Sequence, residues 1–167
     1  MAAALFALRA AERGGEVVVR SAGLLDGGEG VPADVQVAMG AYGVDLSGHR
    51  SRELDSALVT GADLVVGMSH RHVQEAALLD PDAWERIFRL KELVRRGSGI
   101  GPRLPGQDPQ GWVRAAQGDR TRSALVQVSP ADDVADPFGG PAAGYAATAA
   151  ELDALVTDLA DLIWPAS

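Results

Sequence analysis

Two short runs rich in β-branched residues, Glu16-Val17-Val18-Val19-Arg20-Ser21-Ala22 and Asp63-Leu64-Val65-Val66-Gly67-Met68, are set among stretches whose apolar residues recur at helical spacing. Runs of this kind, apolar without a polar alternation, suit strands covered on both faces. Strands covered on both faces run parallel and need helical crossovers, which the intervening stretches are long enough to supply. The order of elements therefore predicts an α/β fold with a parallel sheet, and 167 residues suffice for one domain, spanning 1–167, with a core of its own.

The first helix is expected over Ala2 to Arg13, dense in Ala and Leu and stopped by Gly14-Gly15. No Ser, Thr, Asp or Asn precedes it as a cap, so the chain begins inside an element. Glu16 to Ala22 is expected to be a buried parallel strand. Helices are expected from Pro32 to about Ala41, around Glu53 to Leu58, from a Ser69 cap to Leu79, from Lys91 to Arg96, and from Trp112 to Leu125. A last amphipathic helix carries Leu152, Leu155, Leu159 and Leu162. A third strand, Arg86 to Leu90, is short. Gly97 to Gln110, rich in Gly and Pro, reads as loop. Gly97-Ser98-Gly99-Ile100-Gly101 follows a helix, where a phosphate-binding turn must follow a strand, so it carries no nucleotide reading.

Charge and composition exclude several classes. The formal net charge is -8, and the basic residues never run longer than two, so a nucleic-acid backbone is not an expected partner. All but one of the 15 basic residues are Arg, Lys91 being the exception, which with the abundant Ala and Gly points to a GC-rich bacterial gene. There is no cysteine, hence no disulfide, thiolate zinc site, iron-sulfur cluster or cysteine nucleophile within the sequence. Met1 to Leu8 lacks the basic start of a secretory signal, and no apolar run approaches the roughly 18 residues that span a bilayer. A cytoplasmic location, away from membranes, is expected.

Chemistry has few places to sit. His70 and His72, two apart at a helix start, point to different faces, so a metal site is not expected and both are read as solvent-facing. His49, near Ser47 and Arg52, reads as a buried, hydrogen-bonded histidine. Asp132-Asp133-Val134-Ala135-Asp136-Pro137-Phe138-Gly139-Gly140 admits two readings: a capped turn before the last helix, or a general acid on a loop, with Asp136 aimed by Pro137 and Phe138 supplying a flat apolar wall.

Taken in order, Ser21-Ala22-Gly23, Pro32-Ala33-Asp34, Gly43-Val44-Asp45-Leu46-Ser47-Gly48-His49-Arg50-Ser51-Arg52, Ala62-Asp63-Leu64-Val65-Val66-Gly67-Met68, Phe88-Arg89-Leu90-Lys91-Glu92-Leu93 and Asp133-Val134-Ala135-Asp136-Pro137-Phe138-Gly139 resemble the low-molecular-weight protein tyrosine phosphatase family, especially its bacterial members. The resemblance implies a flavodoxin-like three-layer sandwich and a phosphomonoesterase that needs no cofactor. It further implies a C-x5-R loop between the first strand and the first helix, whose Cys thiolate attacks phosphorus while Arg and loop amides bind the equatorial oxygens. Asp136 matches the aspartate that protonates the leaving phenolate and later deprotonates the attacking water, and Phe138 matches the aromatic wall beside the substrate ring. Ser21 and His49 match positions that hydrogen-bond the phosphate loop and hold its shape. The implied partner is a phosphotyrosine protein or a tyrosine kinase.

The departure is at the start: Met1 falls just past the family's C-x5-R-S-P motif, so the nucleophile, its Arg and the first, central strand of the expected 2-1-3-4 sheet have no counterpart. Without that strand the segment at Val17 to Arg20 loses its neighbour. Three expectations follow: translation assigned at an internal Met of a longer protein, a non-catalytic pseudophosphatase that binds a partner, or an arsenate reductase, which would need thiols this sequence lacks. The 167 residues by themselves are expected to be inactive.

Overall fold

The computed structural model describes residues 1–25, 27–125 and 127–165. Its sheet consists of β1 (Val65–Gly67) and β2 (Ile87–Arg89), parallel, with Val65 opposite Ile87, Val66 opposite Phe88 and Gly67 opposite Arg89. Side chains alternate across the two strands and so feed two cores. Val66 and Phe88 enter the larger one, with Leu5 of α1 (Ala2–Glu12), Met39 of α2 (Ala33–Gly40), Leu93 of α5 (Leu90–Ile100), Trp112 of α6 (Pro109–Gln117) and Leu152, Val156 and Leu159 of α7 (Ala142–Ile163). Val65 and Ile87 enter the smaller one, with Val59 of α3 (Ser56–Thr60) and Val73 and Ala76 of α4 (His70–Leu79). Helices thus cover both faces of a parallel sheet, the expected α/β class with its flavodoxin-like layering.

Local chemistry explains most boundaries. Asp55 caps α3 by accepting the Leu58 amide at 2.7 Å, and Asp108 caps α6 from its side chain ahead of Pro109. Gly14, at φ 69°, ends α1 as the doublet Gly14-Gly15 implies, and Arg9 and Arg13 tie that helix to Asp153 and Asp161 of α7.

The structure corrects the sequence in three places. Glu16 to Ala22 does not form a strand: the segment makes no backbone hydrogen bond among the described residues, and Val18 is 81% exposed. β-branched residues favour a pleated ladder only where a neighbour offers its peptide groups, and here backbone pairing resumes at the parallel bridge between Gly23 and Glu53. Second, Gly97 to Ile100 is helix, not loop. A Cβ at Gly97 would lie 2.7 Å from the Trp112 ring and 2.9 Å from Leu162, so the glycine lets α5 pass beneath α6 and α7, and the helix stops at Gly101, φ 84°. Third, the Trp112 to Leu125 helix is cut at Gly118, φ 51°, and the chain resumes as a 3-10 turn over Arg122–Leu125.

Candidate active site

The aspartate loop lies at the C-terminal end of β1, where ligands bind in open parallel sheets. The Val134 amide donates to the Met68 carbonyl at 2.8 Å, extending the line of β1, and the Asp133 carboxylate accepts the His70 amide at 2.9 Å. Lys91 donates to the Asp133 carbonyl at 2.8 Å and pairs with Glu151 of α7 at 2.7 Å. Ser69 therefore does not cap α4 through its own oxygen, as the sequence implied: Asp133 from the distant loop satisfies the first amide instead.

Beyond this anchor Asp136 is exposed, and its Oδ1 accepts the Phe138 amide at 3.0 Å in a two-residue turn around Pro137. The Gly139 amide donates to the Tyr145 hydroxyl at 3.2 Å, so both shoulders of the loop are tethered while the Phe138 ring stays 78% exposed. Asp136 and Phe138 line one groove of about 380 Å³ together with Pro137, Pro141, Ala147 and Glu151. Of the two readings of this loop, the turn is formed, and it leaves a carboxylate and an aromatic ring side by side in solvent.

Ser21 and His49 come together elsewhere. They line a second groove with Arg20, Arg50 and Arg52 against Ala3, Ala4 and Ala7 of α1. His49 is half-buried, but neither its ring nor the Ser21 hydroxyl makes a side-chain hydrogen bond among the described residues, so the buried, bonded histidine expected from the sequence is not found. Among the described residues no group of three His, Asp or Glu is arranged to hold a metal ion, and no helix is long and apolar enough to cross a membrane.

Two residues beside the loop depart from their sequence reading. His70 and His72 are half-buried rather than solvent-facing, and the His72 Nδ1 lies 2.7 Å from the Ser69 hydroxyl. Burial pushes the His72 imidazole below the ordinary histidine range, Asp136 and Asp133 oppose the shift, and Arg71 adds to it. A lowered pKa means that the unfolded chain takes up the proton first as pH falls. The stability linked to His72 is therefore complete above about pH 6.5 and is lost below it. Melting temperature is expected to drop between pH 7.5 and pH 5, and to drop less in His72→Asn, whose amide can still meet Ser69. Superimposable pH profiles for the two proteins would remove His72 from this account. The spacing Ser69-x-x-His72 was the available signal, but only the fold reveals that α4 starts against the Asp133 loop.

Comparison with known proteins gives the family and the fold. The family profile described as low molecular weight phosphotyrosine protein phosphatase matches residues 1–100, which stops short of Asp136. The probable low molecular weight protein-tyrosine-phosphatase EpsP of Ralstonia solanacearum is 37% identical over 86 residues, 52% of this chain and 59% of EpsP, so the match spans little more than half of that relative. The protein-arginine-phosphatase of Bacillus subtilis is 31% identical over 162 residues, 96% of this chain and 85% of the relative. A solved structure described as a YwlE mutant from Bacillus subtilis superposes with a TM-score of 0.70 at 29% identity, covering 96% of this chain and 86% of that one.

Proposed function

Since the chain belongs to the low molecular weight phosphotyrosine protein phosphatase family, we propose that it is shaped for hydrolysis of phosphoric monoesters on protein side chains, with Asp136 as proton donor to the leaving group and Phe138 as the wall against which that group lies. The observation that carries this reading is the tethered loop at the end of β1, which holds a carboxylate and a flat apolar surface together in solvent. In the first half-reaction the Asp136 carboxyl gives its proton to the oxygen that leaves phosphorus. In the second, the carboxylate takes a proton from the water that attacks the phosphoenzyme. A phosphotyrosine ring suits the Phe138 face. The Bacillus relative named as a protein-arginine-phosphatase favours a second reading, phosphoarginine, whose planar guanidinium also stacks on an aromatic ring.

Within these 167 residues there is no cysteine to form a phosphoenzyme. Asp136 alone cannot hold a phosphate dianion near itself, because like charges repel and the Arg and loop amides that bind the phosphate oxygens in the family have no counterpart in these residues. The chain alone is therefore proposed to bind without turning over, as a pseudophosphatase would. Incubation with p-nitrophenyl phosphate should give no release of nitrophenolate above that of buffer. Turnover by this protein that disappears in Asp136→Asn would overturn the assignment of roles.

A further inference from the structure

Arg89, the last residue of β2, is 5% exposed and its guanidinium reaches four partners. Nη1 donates to the Ser129 carbonyl at 3.1 Å and lies 3.8 Å from Asp133 Oδ1; Nη2 is 3.2 Å from Asp132 Oδ2; Nε is 4.0 Å from Glu92 Oε2. Three of those partners belong to one stretch, Ser129 to Asp133, which ends three residues before Asp136. The remaining charges are matched around it. Asp132 also pairs with Arg95, and Glu92 also meets Arg96 at 3.3 Å and Arg120 at 3.5 Å.

A buried ion pair is a poor way to gain stability, since apolar residues of similar volume often do as well. What an apolar side chain cannot do is gather a carbonyl and two carboxylates of one loop around a single planar fork. Burial pushes the Asp132 carboxyl upward, yet Arg95, a Ser129 hydrogen bond and Arg89 outweigh it and hold Asp132 below the ordinary carboxylate range, so Asp132 meets the fork as a carboxylate. The Asp133 oxygen that faces Arg89 is also the acceptor of the His70 amide. Arg89 thus fixes the loop against both β2 and the start of α4.

We propose that Arg89 is the positioning residue of the aspartate loop: it clamps Ser129, Asp132 and Asp133 so that Asp136 is presented in one place at the end of β1. This rests on the role proposed for Asp136 and adds the residue through which that role depends on Phe88-Arg89-Leu90-Lys91-Glu92-Leu93, a motif with no function assigned above. Lys91, bonded to the Asp133 carbonyl, is the second and weaker tether.

The test compares Arg89→Met, Arg89→Lys and the core control Leu93→Ala in the whole 167-residue protein, by amide hydrogen exchange and by the Phe138 amide resonance, which reports its bond to Asp136. In Arg89→Met the Asp133 and Val134 amides should exchange at least about 100-fold faster relative to those of Leu152 and Leu159 in α7, as expected when local opening is freed from global unfolding. The Phe138 resonance should move toward its solvent-exposed position. Arg89→Lys, which keeps the charge but not the fork, should fall between. Leu93→Ala should speed loop and α7 amides in proportion and leave Phe138 unmoved, which a merely structural role for Arg89 would also do. Loop protection retained in Arg89→Met, or lost equally from α7, overturns the clamp. If Arg89→Met does not fold, the same ratio in Arg89→Lys decides. A failed clamp leaves the Asp136 assignment standing, because that assignment is tested by catalysis and this one by exchange.

Discussion

With an apolar strand and a C-x5-R-S-P loop joined ahead of Met1, the protein should hydrolyse p-nitrophenyl phosphate, and Asp136→Asn in that protein should lower kcat by about 100- to 10,000-fold. Asparagine is the informative replacement. Its side-chain oxygen can still accept the Phe138 amide that Asp136 Oδ1 now accepts at 3.0 Å, so the turn around Pro137 survives and only the transferable proton is removed. The loss should grow with the basicity of the leaving phenol, because a poor leaving group depends most on protonation as its bond to phosphorus breaks. It should appear in kcat more than in KM, since the carboxyl helps the transition state and not the bound ester. A loss that is the same for good and poor leaving groups would show that Asp136 shapes the groove without giving a proton.

The largest effect on stability is expected at Phe88. Its ring is fully buried at the centre of the larger core, and the Arg120 guanidinium lies 3.9 Å from its centroid. Arg120 is itself buried; its Nη2 donates to the Trp84 carbonyl at 2.5 Å, while among the described residues Nε has no hydrogen-bond partner and Nη1 is within ion-pair distance of Glu92 but outside hydrogen-bond geometry. The ring face thus stands in for donors that go unmade. Phe88→Ala should cost about 3–5 kcal/mol from lost packing alone, with the cation left over a void pushing it to the upper end. Phe88→Leu keeps most of the volume and loses the π face, for which about 1–2 kcal/mol is expected. Urea unfolding followed by tryptophan fluorescence measures both, and a Phe88→Leu protein as stable as the parent would remove the cation–ring contact from the explanation.

The helices were largely legible because their signals are local. Pro32 before α2 and the Gly14-Gly15 stop after α1 act within a few residues of themselves, whereas the Asp55 cap and the Asp108-Pro109 start of α6, read as loop, were equally local and were missed. The segments that form β1 and β2, and the turn at Asp136 to Phe138 as one of two readings, were legible for the same reason. What stayed hidden depends on partners far along the chain. Nothing near Gly97 announces that Trp112 will lie where a Cβ would be, so two glycines read as loop where packing makes helix. The valines at 17 to 19 read as strand because propensity describes one side of a pairing and is silent about the other. Arg89, Asp132 and Asp133 look like ordinary charges until the fold brings residues some forty apart within reach of one guanidinium.

The Glu16 to Ala22 stretch also governs how these molecules meet one another. Seven successive residues, three of them valines, make no backbone hydrogen bond among the described residues and lie on an otherwise acidic particle whose copies repel one another. Raising ionic strength screens the repulsion but leaves the peptide groups untouched, so self-association along this stretch is expected to strengthen with salt, which light scattering at low and high ionic strength would check. Arg20, at the end of the valine run, places the one cation that stacked copies would have to superimpose.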